Sequence, residues 1–142
     1  TLDLNLMGTV LPSQILGPLL VKQQRGAILN ISSMNAYRPL TKIPAYSAGK
    51  CAVSNFTEWL AVHLAETGVR VNAIGPGLIE TPLNEETRRN NPHVVEMYLE
   101  HTPLKRNGKP EDIVGPAIFL ASDLSAYVTG GIVMADGGYR SI

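Results

Sequence analysis

The 142 residues predict an α/β fold in which a small parallel sheet of three strands is flanked by helices. Three observations carry that prediction. Short apolar runs of strand length recur at or just after a glycine, in GAILNIS (26–32), VRVNAIG (69–75) and GGIVMADGGY (130–139). Longer stretches with apolar residues three and four apart alternate with them. A chain that alternates helix and strand in this way closes most simply as crossover units, which makes the strands parallel and covers them with helices.

The elements follow in order. LDLNLMGTVLPSQILGPLLVKQQ (2–24) has helical spacing, disturbed at Pro12 and at Gly17-Pro18. Residues 26–32 form a short, continuously apolar run, as a buried strand requires. From Ser32 to Pro44 the composition is that of a loop, and after Pro44 a helix runs to about Thr67, where Gly68 stands in the usual terminating position. Ala48, Ala52, Phe56, Leu60 and Leu64 recur every four residues along it, Cys51 and Trp59 widen the stripe, and that face is expected to be buried. VRVNAIG is the second strand, stopped by Pro76-Gly77. Residues 78–108 are polar and irregular, with a helix expected near 92–100; so long a segment inside a compact domain reads as a lid. PEDIVGPAIFLAS (110–122) begins with proline and two acids, a good helix start despite Gly115-Pro116, and a last strand with a glycine-rich turn lies within 130–139. Each outer strand of such a sheet leaves a row of unpaired backbone groups, so at least one edge is expected to be covered.

Composition narrows the function. Twelve Lys and Arg balance twelve Asp and Glu, and no basic run interleaves with aromatics, which argues against nucleic acid as a partner. The single cysteine, Cys51, provides neither a disulfide framework nor a metal cluster, and no carboxylate or cysteine spacing accompanies His93 or His101. No metal is expected, and a reducing cytoplasm is the default compartment. The apolar stretch TVLPSQILGPLLV (9–21) contains two prolines, a serine and a glutamine with no basic segment before it, so neither a signal peptide nor a membrane span is expected. The chain opens on Thr1 and reaches its first methionine at Met7, inside a helix already under way, and it reads as a fragment.

The sequence that bears chemistry is PAYSAGK. Tyr46 stands four places before Lys50, just over one helical turn, so phenol and ammonium share a face. On a working site that pair is a proton donor and the charge that tunes it; on an ordinary helix it is an amphipathic surface pair. The carboxyl ends of the three strands carry Ser32-Ser33, Pro76-Gly77 and the turn near Ala135-Asp136, the edge at which doubly wound sheets bind ligands.

These residues resemble the short-chain dehydrogenases and reductases. NISS places Ser33 thirteen residues before Tyr46, YSAGK supplies Tyr46 and Lys50, VNAIGPGLIETP supplies Asn72, Pro76, Gly77, Ile79 and Thr81, Asn5 in LDLNLMG matches the helix asparagine of the family's tetrad, and YVTGGIVMADGGY looks like its C-terminal strand and turn. The resemblance implies the C-terminal, catalytic half of a Rossmann-like sheet, without the glycine-rich turn that receives a dinucleotide's pyrophosphate, and a parent protein about a hundred residues longer. It implies NAD or NADP as cofactor and a small carbonyl or alcohol substrate. It assigns catalysis to Asn5, Ser33, Tyr46 and Lys50, with Asn5 holding a water behind Lys50. It assigns cofactor binding to Tyr46, Lys50, Pro76, Gly77, Ile79 and Thr81, the last two at the nicotinamide carboxamide. It also implies homodimers or homotetramers through the long helices. SSMNAYRPLTKIPAYSAGKCAVSNFTEWLAVHLA looks most like sugar-acid oxidoreductases of the mannonate and fructuronate type, so Ser33, Asn35 and Arg38, with Lys42 nearby, are expected to meet a polyhydroxylated carboxylate. The alternative is a non-catalytic assembly fragment that binds cofactor weakly or not at all.

Overall fold

The structure is a computed structural model that describes residues 1–40 and 42–142. Three strands, β1 (Gly26–Ile31), β2 (Val69–Pro76) and β3 (Ile132–Ala135), form one sheet in the order β1-β2-β3. Both pairings are parallel, running from Gly26↔Val69 to Ile31↔Ile74 and from Ala73↔Ile132 to Pro76↔Ala135. The central strand is the most buried because it is paired on both edges and covered on both faces.

Helices α1 (Gly8–Gln23) and α2 (Pro44–His63) lie on one face, and α5 (Pro110–Ala121) lies on the other. On the first face Val69 and Val71 pack with Leu60 and Ala61 of α2 and with Leu64 just past its end, while Leu20 and Val21 of α1 close the cluster. On the second face Arg70 fastens the end of α5: its guanidinium donates to the carbonyls of Leu120 (2.9 Å) and Ser122 (3.0 Å) and to Ser125 Oγ (2.9 Å). Helix C-termini leave carbonyls without partners, and an arginine from the sheet supplies them.

The expected layout holds, with four differences of detail. The first helix opens as a π-helical turn over Asp3–Met7 and then passes through both Pro12 and Pro18 without ending, so the prolines do not divide it. This segment, Asp3–Gln23, is long and apolar enough to cross a membrane by length and composition, and here it forms a layer over the sheet. The polar segment 78–108 contains two helices, α3 (Pro82–Asn90) and the expected α4 (Pro92–Glu100), each begun by a proline. The last strand is shorter than 130–139, because Gly137 and Gly138 take left-handed backbone and turn the chain away after Ala135.

The fourth difference is a correction. The stripe expected to be buried along α2 is mostly outside: Ala48, Cys51 and Trp59 are exposed, Trp59 by 56%, Ala52 and Phe56 are half-buried, and only Leu60 and Leu64 are buried. The buried face consists of Ser47, Gly49, Val53, Ser54, Thr57, Leu60 and Ala61. Small side chains bring the helix close to the sheet, and buried hydroxyls find partners there. Thr57 Oγ1 accepts from Asn30 Nδ2 (2.9 Å) and donates to the Val53 carbonyl (2.8 Å), while Ser54 and Ser32 share a hydrogen bond of 2.6 Å. Outside, Phe56, Trp59 and His63 stack in a ladder, with the Trp59 and His63 rings 5.0 Å apart.

Candidate active site at the carboxyl edge of the sheet

Lys50 is the best-defined side chain of the candidate site. Nearly two turns into α2, half-buried, its Nζ donates to the Ile31 carbonyl at 2.8 Å, which ties the helix to the last residue of β1. Burial lowers its pKa from the ordinary lysine value. The same Nζ stands 5.8 Å from the centroid of the Tyr46 ring, as the four-residue spacing requires. An ammonium has three donors, and Ile31 takes one.

Ser33, just past β1, is buried, and its Oγ accepts from the main-chain N–H of Asn35 (3.2 Å), capping a short turn over Met34–Ala36. Its hydroxyl proton remains available to donate. Asn5 lies beside α2: a Cβ on Gly49 would stand 3.2 Å from Asn5 Cβ, so glycine next to Lys50 is what admits the asparagine. Asn5 Nδ2 donates to the Thr1 carbonyl (2.9 Å), and Asn5 and Lys50 line a common cavity of about 480 Å³ along the open edge of β1.

Beyond β2, Pro76 closes the strand, and Gly77 donates to the Ala135 carbonyl (3.0 Å). A Cβ on Gly77 would come within 2.8 Å of Asp136 Cα, so this glycine is required by the close passage of the chain's own C-terminal turn. Ile79 forms a parallel bridge with Gly108, in which Glu80 N–H donates to the Gly108 carbonyl (2.8 Å) and Gly108 N–H to the Leu78 carbonyl (2.9 Å). The N–H and C=O of Ile79 itself point to the other side, and its N–H has no partner among the described residues. Thr81 caps α3. A cavity of about 530 Å³ lies here, lined by Gly77, Ile79, Gly108, Arg106 and Asp136 among others; Ser33 and Tyr46 are outside it.

Ser33, Tyr46, Lys50 and Asn5 therefore gather where α2 meets the end of β1, and Pro76 to Thr81 stand at the end of the neighbouring strand. The residues expected to meet substrate separate. Asn35 is buried, its Oδ1 unpartnered among the described residues. Arg38 is exposed and engaged elsewhere: Nη1 donates to the Tyr139 carbonyl (3.3 Å), and the guanidinium lies 5.8 Å from the Tyr139 ring centroid. Lys42 is exposed.

One group escaped the sequence reading, and one that the resemblance had marked, Asn72, has partners it did not show. Tyr98 of α4 is buried with Met34 and Tyr139, its ring 5.3 Å from that of Tyr139. Burial, then Tyr139 and Tyr46, push the Tyr98 phenol well above its ordinary pKa, so it stays neutral. Tyr98 thus packs against Met34 in the loop after β1, and the apolar i, i+4 pair of Val94 and Tyr98 was the available signal. Asn72, buried in β2, donates Nδ2 to the Val128 carbonyl (2.8 Å) and accepts from Gly131 N–H (2.9 Å), holding the segment that leads into β3.

A nicotinamide carboxamide has a carbonyl that a main-chain N–H can meet, and its ribose has hydroxyls that a cation can meet. The unpartnered Ile79 N–H and the two remaining donors of Lys50 fit those groups.

Residues 1–140 match the family model described as enoyl-(acyl carrier protein) reductase. The chain is 47% identical over 142 residues, 96% of its own length and 51% of the relative's, to the uncharacterized oxidoreductase UxuB of Bacillus subtilis. It superposes with TM-score 0.93 and 40% identity on a provisionally assigned D-mannonate oxidoreductase of Haemophilus influenzae with bound NAD, covering 99% of this chain and 52% of that one. A gluconate 5-dehydrogenase of Burkholderia cenocepacia in complex with NADP and tartrate gives TM-score 0.93 at 31% identity, covering 97% and 54%. The chain spans about half the length of the curated relatives it matches.

Proposed function

The chain belongs to the short-chain dehydrogenase/reductase family, and from that premise we propose that it is the catalytic half of an NAD- or NADP-dependent oxidoreductase interconverting a secondary alcohol and a ketone. The observation that carries this reading is the half-buried Lys50, fixed on the Ile31 carbonyl with its ammonium 5.8 Å from the Tyr46 ring and the buried Ser33 hydroxyl at the same strand end.

When bound, the nicotinamide supplies or accepts the hydride. The protein must manage the proton. Tyr46 gives it to the substrate oxygen in reduction and takes it in oxidation. An ordinary phenol has a pKa near ~10 and exchanges protons slowly at neutral pH, so it needs a neighbouring positive charge, and Lys50 provides one. Ser33 donates a hydrogen bond to the substrate oxygen, where negative charge develops. Lys50 also meets the ribose hydroxyls, Asn5 holds a water behind it that leads the proton to solvent, and Ile79 and Thr81 hold the carboxamide beside Pro76 and Gly77. The neutral Tyr98 phenol adds a donor on the lid side.

The substrate we propose is a sugar acid of the mannonate or fructuronate type. Support comes from the sugar-acid names among the similar proteins and from Asn35, whose buried Oδ1 is an acceptor without a donor. Comparing kcat/KM for fructuronate with that for unrelated ketones tests it, and no preference refutes it. The phosphate-binding half would come from the rest of the natural polypeptide. A second reading, favoured by the exposed aromatic ladder of α2 and the exposed Ile15, Leu16 and Leu19 of α1, is that the 142 residues alone form a self-associating unit, a dimer or tetramer through these helices, with weak affinity for cofactor. Titrating nicotinamide fluorescence with the isolated chain tests that reading, and tight binding refutes it.

A further inference from the structure

Asn84 makes hydrogen bonds in three directions. Its Oδ1 accepts from the main-chain N–H of Thr81 (3.1 Å) and from Arg88 Nε (2.9 Å), and its Nδ2 donates to the Ile79 carbonyl (2.7 Å). The first of these is an ordinary capping contact, since Asn84 is the third residue of α3 and Thr81 its cap. The bond to Ile79 does nothing for the helix. It reaches five residues back to the segment between β2 and α3 and fixes the peptide that the proposed function places against the nicotinamide.

The same segment is held from its other side. Glu80 and Gly108 form the bridge described above, Glu80 Oε1 accepts from Asn107 Nδ2 (3.1 Å), and Arg88 Nη1 lies 3.7 Å from the same oxygen. Residues 79–81 are thus clamped between the Gly108 bridge and the Asn84 amide, with the Ile79 N–H left over. We propose that Asn84 is a positioning residue that sets the orientation of the nicotinamide end of the cofactor through the Ile79 and Thr81 main chain. This rests on the dinucleotide reading and goes beyond it. The role demands an amide of this length, because only asparagine accepts from Thr81 and donates to Ile79 at once.

Asn84→Asp separates positioning from capping. The carboxylate still accepts from Thr81 and Arg88, and a negative charge in the first turn of a helix is favourable, but nothing donates to the Ile79 carbonyl. In the natural polypeptide carrying this chain, calorimetric titration with NADH or NADPH and, separately, with ADP-ribose or its 2′-phosphate, which lack nicotinamide, gives the test. The expected result is an unchanged or raised melting temperature, ADP-ribose affinity within twofold of the parent, and dinucleotide affinity weakened about tenfold, the effect of one lost hydrogen bond. Equal affinity for both ligands in variant and parent, or equal loss of both, makes Asn84 a helix cap and overturns the proposal. A parent protein that binds neither ligand overturns the dinucleotide reading, and this proposal with it.

Discussion

Replacing Lys50 by methionine keeps the length of the side chain and removes its charge. Nζ is fixed 2.8 Å from the Ile31 carbonyl and 5.8 Å from the Tyr46 ring centroid, so the variant removes a charge that faces the proposed proton donor. In the natural polypeptide carrying this chain, Lys50→Met should lower kcat/KM for alcohol oxidation by roughly a hundredfold or more, the scale of an assisted proton transfer, and alter its pH profile. The refuting result is a lower rate with the pH profile of the parent, which would reduce Lys50 to a ribose contact. A second readout follows from the lowered pKa of Lys50. The folded value lies below the unfolded one, so the unfolded chain binds more protons in the window beneath 10.5, and stability rises with pH there. Lys50→Met should abolish that rise in urea unfolding between neutral and alkaline pH.

Other parts of the structure give further expectations. Asn72→Ala leaves the Val128 carbonyl and the Gly131 N–H without their buried partner and should cost about 2 to 3 kcal/mol in chemical denaturation; a cost under half a kilocalorie would contradict the bonding. Arg106 holds the Asp112 carboxyl well below the ordinary carboxylate range, so the pair contributes stability above an unfolded value near 3.8 that is lost as acid protonates the folded carboxyl. Asp112→Asn should flatten the decline of melting temperature below pH 4, and an unchanged decline would place the acid sensitivity elsewhere. Tyr98→Phe removes the neutral lid phenol and should raise KM for a polyhydroxylated substrate more than it lowers kcat; the opposite pattern would give Tyr98 a part in the chemistry.

The order of elements, and the placing of Tyr46 one turn before Lys50, were more legible in the sequence than the burial of particular faces. The strands were legible because each is a short apolar run next to a glycine, and Tyr46, Lys50 and Ser33 because a helical turn and a strand end place them with little choice. The buried face of α2 was not legible. Its largest apolar residues recur every four positions, yet the sheet takes the neighbouring face of Ser47, Ser54 and Thr57, whose small side chains allow close approach and whose hydroxyls are satisfied by Asn30, Ser32 and the Val53 carbonyl. Periodicity identifies a stripe and says nothing of which neighbour covers it. Helix α3 was hidden because its nine residues, PLNEETRRN, are almost wholly polar. Arg70 reads as an ordinary strand position, and the resemblance that marks Asn72 says nothing of its partners, although their bonds to residues fifty or more positions away hold α5 and β3 to the sheet. Long-range polar contacts of that kind leave no periodic trace.

The most direct test of the account is Tyr46→Phe in the natural polypeptide, assayed for oxidoreduction on the best substrate found, with the melting temperature followed in parallel. Loss of a single hydroxyl should lower kcat by two to four orders of magnitude, roughly the span of general acid–base catalysis, while the melting temperature stays put. Turnover equal to that of the parent would contradict the assignment of proton transfer to Tyr46.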